Sequence, residues 1–441
     1  MSLLDSTYQT VSHPERIAVI GAGYVGIPTA VMLAHFGHSV VIAEREEFRR
    51  ESIRSGRSPI LEEGLDAVIA AVVQSGQLEV SDDAVQAVGG AKFVFLCVAT
   101  PQGDDGRADL SFIDAVAREI AHALRDDAIV VNKSTVPVGT MERVRSIINR
   151  PGVRVVSNPE FLREGTALGD SLRPDRIVVG AEDREAANSV AQLFASTGAP
   201  VVVTDATTSE LIKYASNAFL ATKLSFVNTM SRLCDQLGAD VDDLVLGMGS
   251  DHRIGFPFLN PGPGWGGSCL PKDTSALVAI AADAGLTLDV VRAAIESNSA
   301  QQRHIVTQVA ALVGGSLAGK TIAILGLTFK ANTGDRRDSP ALQVAELLLA
   351  AGARIHSFDP TVSIDDSSED IANLGVCATL EEAVAGADAA VVLTEWAMFR
   401  SLEWNRLVPT MAHPCIYDAR SVVDLEAARA AGATVRRVGR S

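Results

Sequence analysis

Arg16-Ile17-Ala18-Val19-Ile20-Gly21-Ala22-Gly23-Tyr24-Val25-Gly26, residues 16–26, runs from an apolar segment straight into three closely spaced glycines. Ile17 to Ile20 reads as a buried strand, and Tyr24 to Phe36 as the helix after it. Between them Gly21 permits the tight turn, and Gly23 lets a pyrophosphate approach bare backbone. Gly26 lets the helix pack closely on the strand, and the helix N-terminus adds positive potential. Tyr24 and Val25 complete the turn. Glu44 ends the next strand, Val40 to Ala43, 23 residues after Gly21. Its carboxylate suits an adenosine ribose and repels a 2′-phosphate, so NAD is expected rather than NADP, with Arg45 next door.

Outward from this point, short apolar runs alternate with helical patterns. Phe93–Val98, Ile129–Val131, Val153–Val156, Ile177–Val179 and Val201–Val203 are expected strands of a parallel sheet covered on both faces. Ser209 to about Leu237 then lacks Gly and Pro and carries Leu211, Tyr214, Phe219, Leu224, Phe226 and Leu233. A helix of that length spans roughly 40 Å and usually joins domains or builds an interface. From Thr321 the alternation resumes, with strands at Thr321–Leu325, Arg354–Phe358 and Ala389–Leu393 and a helix at Pro340–Ala351. The expected fold is α/β: two doubly wound, Rossmann-like parallel-sheet domains joined by a central helical domain. The expected parts are a disordered extension (1–14), a dinucleotide domain (15–205), a central helical domain (206–312) and a second sheet domain (313–441). Gly314 with Gly319-Lys320-Thr321 has the spacing of a phosphate loop. Here a helix precedes and a strand succeeds it, the reverse of what that mechanism needs, so an ordinary loop is expected.

The 441 residues call for about three domains. Hydrophobic residues make up 47% and charged ones 21%, a globular composition. Lys+Arg 38 against Asp+Glu 54 leaves a net charge of −16, which excludes a generally basic surface for nucleic acid. Anionic ligands must therefore be met by a few placed cations. Five scattered cysteines (Cys97, Cys234, Cys269, Cys377, Cys415) form neither a disulfide framework nor a zinc pattern, so no metal is expected. With no membrane-length apolar run and no signal peptide at the start, a cytoplasmic protein is expected.

Gly266-Gly267-Ser268-Cys269-Leu270-Pro271-Lys272-Asp273 carries the chemistry of the helical region. Pro271 suits a helix start, so Cys269 lies just before a helix N-terminus, where a thiolate is favoured, with Lys272 nearby. Asp273 is one turn on, and the two glycines would let a substrate lie against backbone. Cys97, inside an apolar run, reads as core. Lys213 and Asn217, four apart on the long helix, are two donors suited to a developing oxyanion. Asn158 to Gly165 offers two carboxylates, Glu160 and Glu164, after a strand end.

Together with Ser58-Pro59-Ile60, Thr100-Pro101, Lys133-Ser134-Thr135-Val136-Pro137, Gly326-Leu327-Thr328-Phe329-Lys330 and Arg337-Asp338-Ser339-Pro340, these motifs resemble the UDP-glucose/GDP-mannose dehydrogenase family. The resemblance covers the chain from Arg16 on. It implies oxidation of a nucleotide sugar's primary alcohol to a carboxylate in two steps, with two NAD⁺ and one water. By the resemblance Cys269 is the nucleophile, Lys213 and Asn217 stabilise oxyanions, and Asp273, Glu160 and a water held by Thr135 handle protons. Arg49, Thr100, Thr135, Glu164, Lys272 and Arg337 match cofactor positions. Glu160, Phe161, Leu162, Glu164, Lys213 and Asn217 match substrate positions. So do Phe258, Leu259, Asn260, Pro261, Gly262, Gly266, Lys330 and Arg420. Arg253 matches an arginine that reaches a neighbouring site in a homodimer. Glu44 stands where Asp is usual, and Trp265 replaces Phe. His252 to Gly255 and Pro261 to Gly264 favour UDP-glucose, with GDP-mannose or another nucleotide sugar as the alternative. A two-electron alcohol dehydrogenase would need the glycine turn but not Cys269.

Overall fold

The computed structural model describes residues 13–103 and 105–440. The expected extension over 1–14 lies, up to residue 12, outside the described residues. Contacts divide the chain into two compact units. One runs to Ser216 and includes Ser275–Ala284; the other comprises Asn217–Thr274 and Gly285 onward.

In the first unit eight strands form one sheet: β1 (Arg16–Ile20), β2 (Ser39–Ala43), β3 (Leu78–Ser81), β4 (Phe93–Leu96), β5 (Ile129–Asn132), β6 (Arg154–Ser157), β7 (Ile177–Gly180) and β8 (Val201–Thr204). Their order is β3-β2-β1-β4-β5-β6-β7-β8. Successive residues of β1 face opposite cores, Ile17 and Val19 on one side and Ala18 and Ile20 on the other. That two-sided burial is why the strand reads as an unbroken apolar run. The strand β3 escapes the apolar pattern, because Leu-Glu-Val-Ser is short, alternating and at the sheet edge. The expected all-parallel pairing also needs a correction. The strands β7 and β8 run parallel to each other, but β7 meets β6 antiparallel through Ser157 and Gly180. The intervening helix, Ala167–Leu172, has only six residues, and the chain re-enters the sheet from the end at which it left.

In the second unit β9 (Thr321–Leu325), β10 (Arg354–Phe358), β11 (Ala389–Val392), β12 (Cys415–Asp418) and β13 (Thr434–Arg437) pair in parallel, ordered β10-β9-β11-β12-β13. The last two strands add to the three expected from the sequence. In both sheets the order reverses beside the first strand, at β1/β4 and at β9/β11, where ligands of open α/β sheets bind. The helix Asp289–Leu312 precedes Lys320 and β9 comes directly after it, so the phosphate-loop spacing lies in the wrong context.

The long helix is Ala206–Leu237, 32 residues. It extends three residues earlier than expected, and Gly238 with φ 72° comes after it. A second helix, Leu270–Asp283, starts immediately after Cys269 with Pro271 in its first turn. Among the described residues no helix is long and apolar enough to cross a membrane.

Candidate active site

The glycine turn succeeds β1 and opens the helix Gly26–His35. Gly21 has φ 100°, and a Cβ on it would sit 2.7 Å from the carbonyl oxygen of Cys97. A Cβ on Gly26 would lie 1.8 Å from the Gly21 oxygen. Gly23 differs: nothing lies within 4 Å of where its Cβ would be. Two glycines thus let the backbone close on itself and the third leaves open space outside it, which fits a pyrophosphate. Glu44 Oε2 accepts the Ala22 N–H at 2.8 Å, and its Oε1 accepts the N–H groups of Arg45 and Glu46. The acid therefore shapes the turn from the end of β2. Arg49 donates to the Ala22 carbonyl at 3.1 Å, and Thr100 Oγ1 to the Thr135 carbonyl at 2.9 Å. Tyr24, Val25 and Glu164 are partly exposed.

Deeper in this unit lies a buried charge cluster. Lys213 Nζ donates to Glu160 Oε1 at 2.9 Å, both side chains being nearly inaccessible. Glu160 Oε2 accepts the Leu162 N–H at 2.5 Å. Burial is the largest influence on the Glu160 carboxyl and would raise it, but the charge and hydrogen bond of Lys213, the Leu162 N–H and the Lys133 charge together hold it below its ordinary value. The Phe161 ring stacks under the Arg176 guanidinium at 3.5 Å and lies 5.4 Å from Lys213 Nζ. Lys133, quoted above only as part of a motif, is also buried. Its Nζ donates to Asn158 Oδ1 at 3.0 Å, and Asn158 Nδ2 donates to the Val178 carbonyl at 2.7 Å. Burial draws the Lys133 ammonium down to about 8. Cys97 beside it is core, as expected, and burial pushes its thiol up to about 12.

In the second unit Asn217 Nδ2 donates to Asp273 Oδ2 at 2.5 Å. Asp273 is fully buried, its N–H donates to the Cys269 carbonyl at 2.9 Å, and its Oδ1 pairs with Lys272. Lys272, expected beside the thiol, thus has the acid as its partner. Each expected oxyanion donor is paired with an expected proton-handling acid: Lys213 with Glu160, Asn217 with Asp273.

The Gly255–Gly267 loop holds Phe258 at φ 62°, a left-handed conformation that bulky residues rarely adopt. Leu259 and Pro261 are buried, and Asn260 is exposed. The Gly262 N–H is held by Asn228 Oδ1 at 2.8 Å, and the Gly262 carbonyl by Gln301 Nε2 at 2.9 Å. Trp265 is accommodated by a hydrogen bond from its indole to Ser225 Oγ at 2.8 Å. Gly266 and Gly267 owe their lack of side chain to the protein itself. A Cβ on Gly266 would lie 1.9 Å from the Asp338 oxygen, and one on Gly267 2.8 Å from the Phe329 ring. Room for a substrate is therefore not the reason for these two glycines.

Arg420 donates to the carbonyls of Leu393 and Phe329 at 2.8 and 2.9 Å. Lys330 Nζ sits 5.3 Å from the Phe329 ring. Arg337 forks onto Asp335, and exposed Arg253 onto Asp251. A pattern missed at the level of sequence unites three of these sites. Asp251, Asp335 and Asp418 each stand two residues before an expected ligand arginine, and each accepts that arginine's backbone N–H at 2.9–3.0 Å. The Asp-x-Arg spacing is the signal, shared with Asp105-Gly106-Arg107, where the Arg107 N–H donates to Asp105 at 3.0 Å away from the expected ligand positions.

Family models described as the UDP-glucose/GDP-mannose dehydrogenase family match residues 15–198 (NAD binding domain), 207–300 (central domain) and 323–425 (UDP binding domain). A UDP-glucose 6-dehydrogenase of Rhizobium meliloti is 46% identical, covering 92% of this chain and 95% of its own. One of Bacillus subtilis is 41% identical, covering 96% and 98%. The solved structure of a UDP-glucose dehydrogenase from Pyrobaculum islandicum is 34% identical, covers 98% of this chain and 99% of that one, and gives a TM-score of 0.89.

Proposed function

The chain belongs to the UDP-glucose/GDP-mannose dehydrogenase family and carries its NAD-binding domain, and we propose that it oxidises UDP-glucose to UDP-glucuronate with two NAD⁺ and one water. NAD⁺, when bound, supplies the electron-pair acceptor for both oxidations. Gly21, Gly23, Gly26 and Glu44 hold it, with Arg49, Thr100, Glu164, Lys272 and Arg337 as further contacts.

Asp273 and Glu160 take up the protons released at the sugar's C6 hydroxyl, Thr135 orienting the water that carries them. Cys269 Sγ adds to the resulting aldehyde carbon and forms a hemithioacetal. The second two-electron oxidation converts this adduct to a thioester, and water cleaves it to the carboxylate and the free thiol. Lys213 and Asn217 stabilise the oxyanions on either side of the thioester. Phe258–Gly262, Gly266, Lys330 and Arg420 hold the UDP moiety, with Phe161 and Leu162 against the sugar. The observation that most supports this reading is the buried Asn217–Asp273 pair, one helical turn after Cys269.

Turnover measured as NADH formed per sugar tests it: two per UDP-glucose in the wild type, and no turnover by Cys269→Ala or Cys269→Ser with both ligands still bound in calorimetry. Wild-type-like turnover by Cys269→Ala rejects the covalent route. GDP-mannose should be used at least about tenfold less efficiently, for which a difference of about 1.4 kcal/mol in transition-state binding suffices.

We further infer a homodimer. Phe219, Phe226 and Leu233 recur every seventh residue on the long helix and are exposed, a stripe that a second copy would cover. In that dimer Arg253 serves the neighbouring site, so mixed Arg253→Ala and Cys269→Ala protomers should regain activity. The divisions at 206 and 313 match these roles: cofactor, thiol and dimer, nucleotide sugar. The compartment is the cytoplasm, where Cys97, Cys234, Cys377 and Cys415 stay as free thiols.

A further inference from the structure

The first turn of the long helix carries two buried polar residues without a role so far, Ser209 and Glu210. Ser209 Oγ lies 3.1 Å from Ser157 Oγ, at the end of β6 and just before Asn158-Pro159-Glu160. Gly180 makes room for this approach, since a Cβ there would fall 2.3 Å from the Ser209 Cβ. Glu210 reaches the other way. Its Oε2 accepts the Gly139 N–H at 2.7 Å and its Oε1 the Met141 N–H at 2.8 Å.

Those two amides open the helix Thr140–Ile148, whose own N-cap residue, Gly139, has no side chain to supply a cap. Helix starts normally find their acceptor in a local Ser, Thr, Asp or Asn. Here the acceptor comes from residue 210 instead, at the cost of burying a carboxyl that burial pushes up to about 7. The helix Thr140–Ile148 is entered through Lys133–Pro137, the loop that carries Thr135. Lys213 lies three residues beyond Glu210, on the same face. The strand end leading to Glu160, the loop carrying Thr135 and the helix carrying Lys213 are thus joined at one dipeptide.

We propose that Glu210 is a positioning residue for Lys213: by tying the long helix to the start of Thr140–Ile148 it sets the Lys213 ammonium on Glu160. The proposal rests on the catalytic role given to Lys213 above.

A double-mutant cycle tests it, with Glu210→Gln, Lys213→Ala and the pair assayed for kcat, both KM values and melting temperature. Glu210→Gln should lower kcat about tenfold and leave the KM for NAD⁺ within about twofold. In the Lys213→Ala background the same change should cost less than about twofold, because the residue it acts through is gone. A contribution to folding alone would cost the same factor in both backgrounds, and that result overturns the proposal, as does an unchanged kcat in Glu210→Gln. Wild-type turnover by Lys213→Ala would instead reject the role of Lys213 itself. If Glu210→Gln does not fold, Glu210→Asp, which keeps the charge one methylene short, takes its place in the cycle, and additivity there is equally fatal.

Discussion

The two sheets make the same turn and use it differently. In the first, Gly21 with φ 100° donates to the Ala43 carbonyl at 2.8 Å, and Ala22 to Glu44 at 2.8 Å. In the second, Gly326 with φ 94° donates to the Phe358 carbonyl at 2.8 Å, and Leu327 to Asp359 at 2.8 Å. Strand, glycine and acid at the end of the neighbouring strand coincide. Beyond the glycine the two chains part. After Gly21 the helix begins at Gly26, and Gly23 faces open space. After Gly326 the next helix waits until Pro340, and the turn is filled by protein: Asp359 also accepts from Thr328 and the Trp396 indole, and is 1% exposed. One turn is left open and the other is sealed.

This contrast can be broken by substitution. The largest effect is expected at Gly26→Ala, where the added methyl collides with the Gly21 carbonyl. NAD⁺ affinity by calorimetry should fall at least about a hundredfold, while Gly23→Ala, into open space, should mainly obstruct the ligand and leave the melting temperature nearly unchanged. Preserved NAD⁺ binding in Gly26→Ala would mean that the turn is not the cradle.

Next come the two acids. Asp359→Ala strands several buried donors and should cost about 3–5 kcal/mol in denaturant unfolding. Glu44→Ala, at a partly exposed turn, should cost about 1 kcal/mol or less and show its effect in NAD⁺ affinity. Equal destabilisation would erase the distinction between an open and a sealed turn.

The smallest effect is in pH dependence. Burial depresses Lys133, so the native state prefers it neutral. The penalty is complete below about 8 and is relieved as pH rises toward the ordinary lysine value, so stability should climb there, and Lys133→Gln should flatten the climb. Asp418 at the end of β12 works oppositely. Burial raises it, so its native-state advantage belongs to the protonated form and is lost as pH rises out of the acid range.

Much of the fold and site is legible in the sequence because it is local. The glycine spacing, Glu44 after the second strand and Cys269 before Pro271 each depend on a few neighbouring residues. The pairings are not legible, since Lys213 finds Glu160 from 53 residues away and Asn217 finds Asp273 from 56. Gly266 misleads for the same reason: the atom that excludes its side chain belongs to residue 338. Strand β7 cannot be oriented from its own apolar residues, which read alike in either direction.

Phe258 carries a different kind of information. A phenylalanine held at φ 62° costs of order 1–3 kcal/mol that glycine or asparagine at the same place would largely recover. A chain selected only for thermal endurance would have replaced it. Under the nucleotide-sugar role proposed for Phe258, stability and ligand binding pull apart at this position, so stabilised variants screened without substrate should lose this ring early.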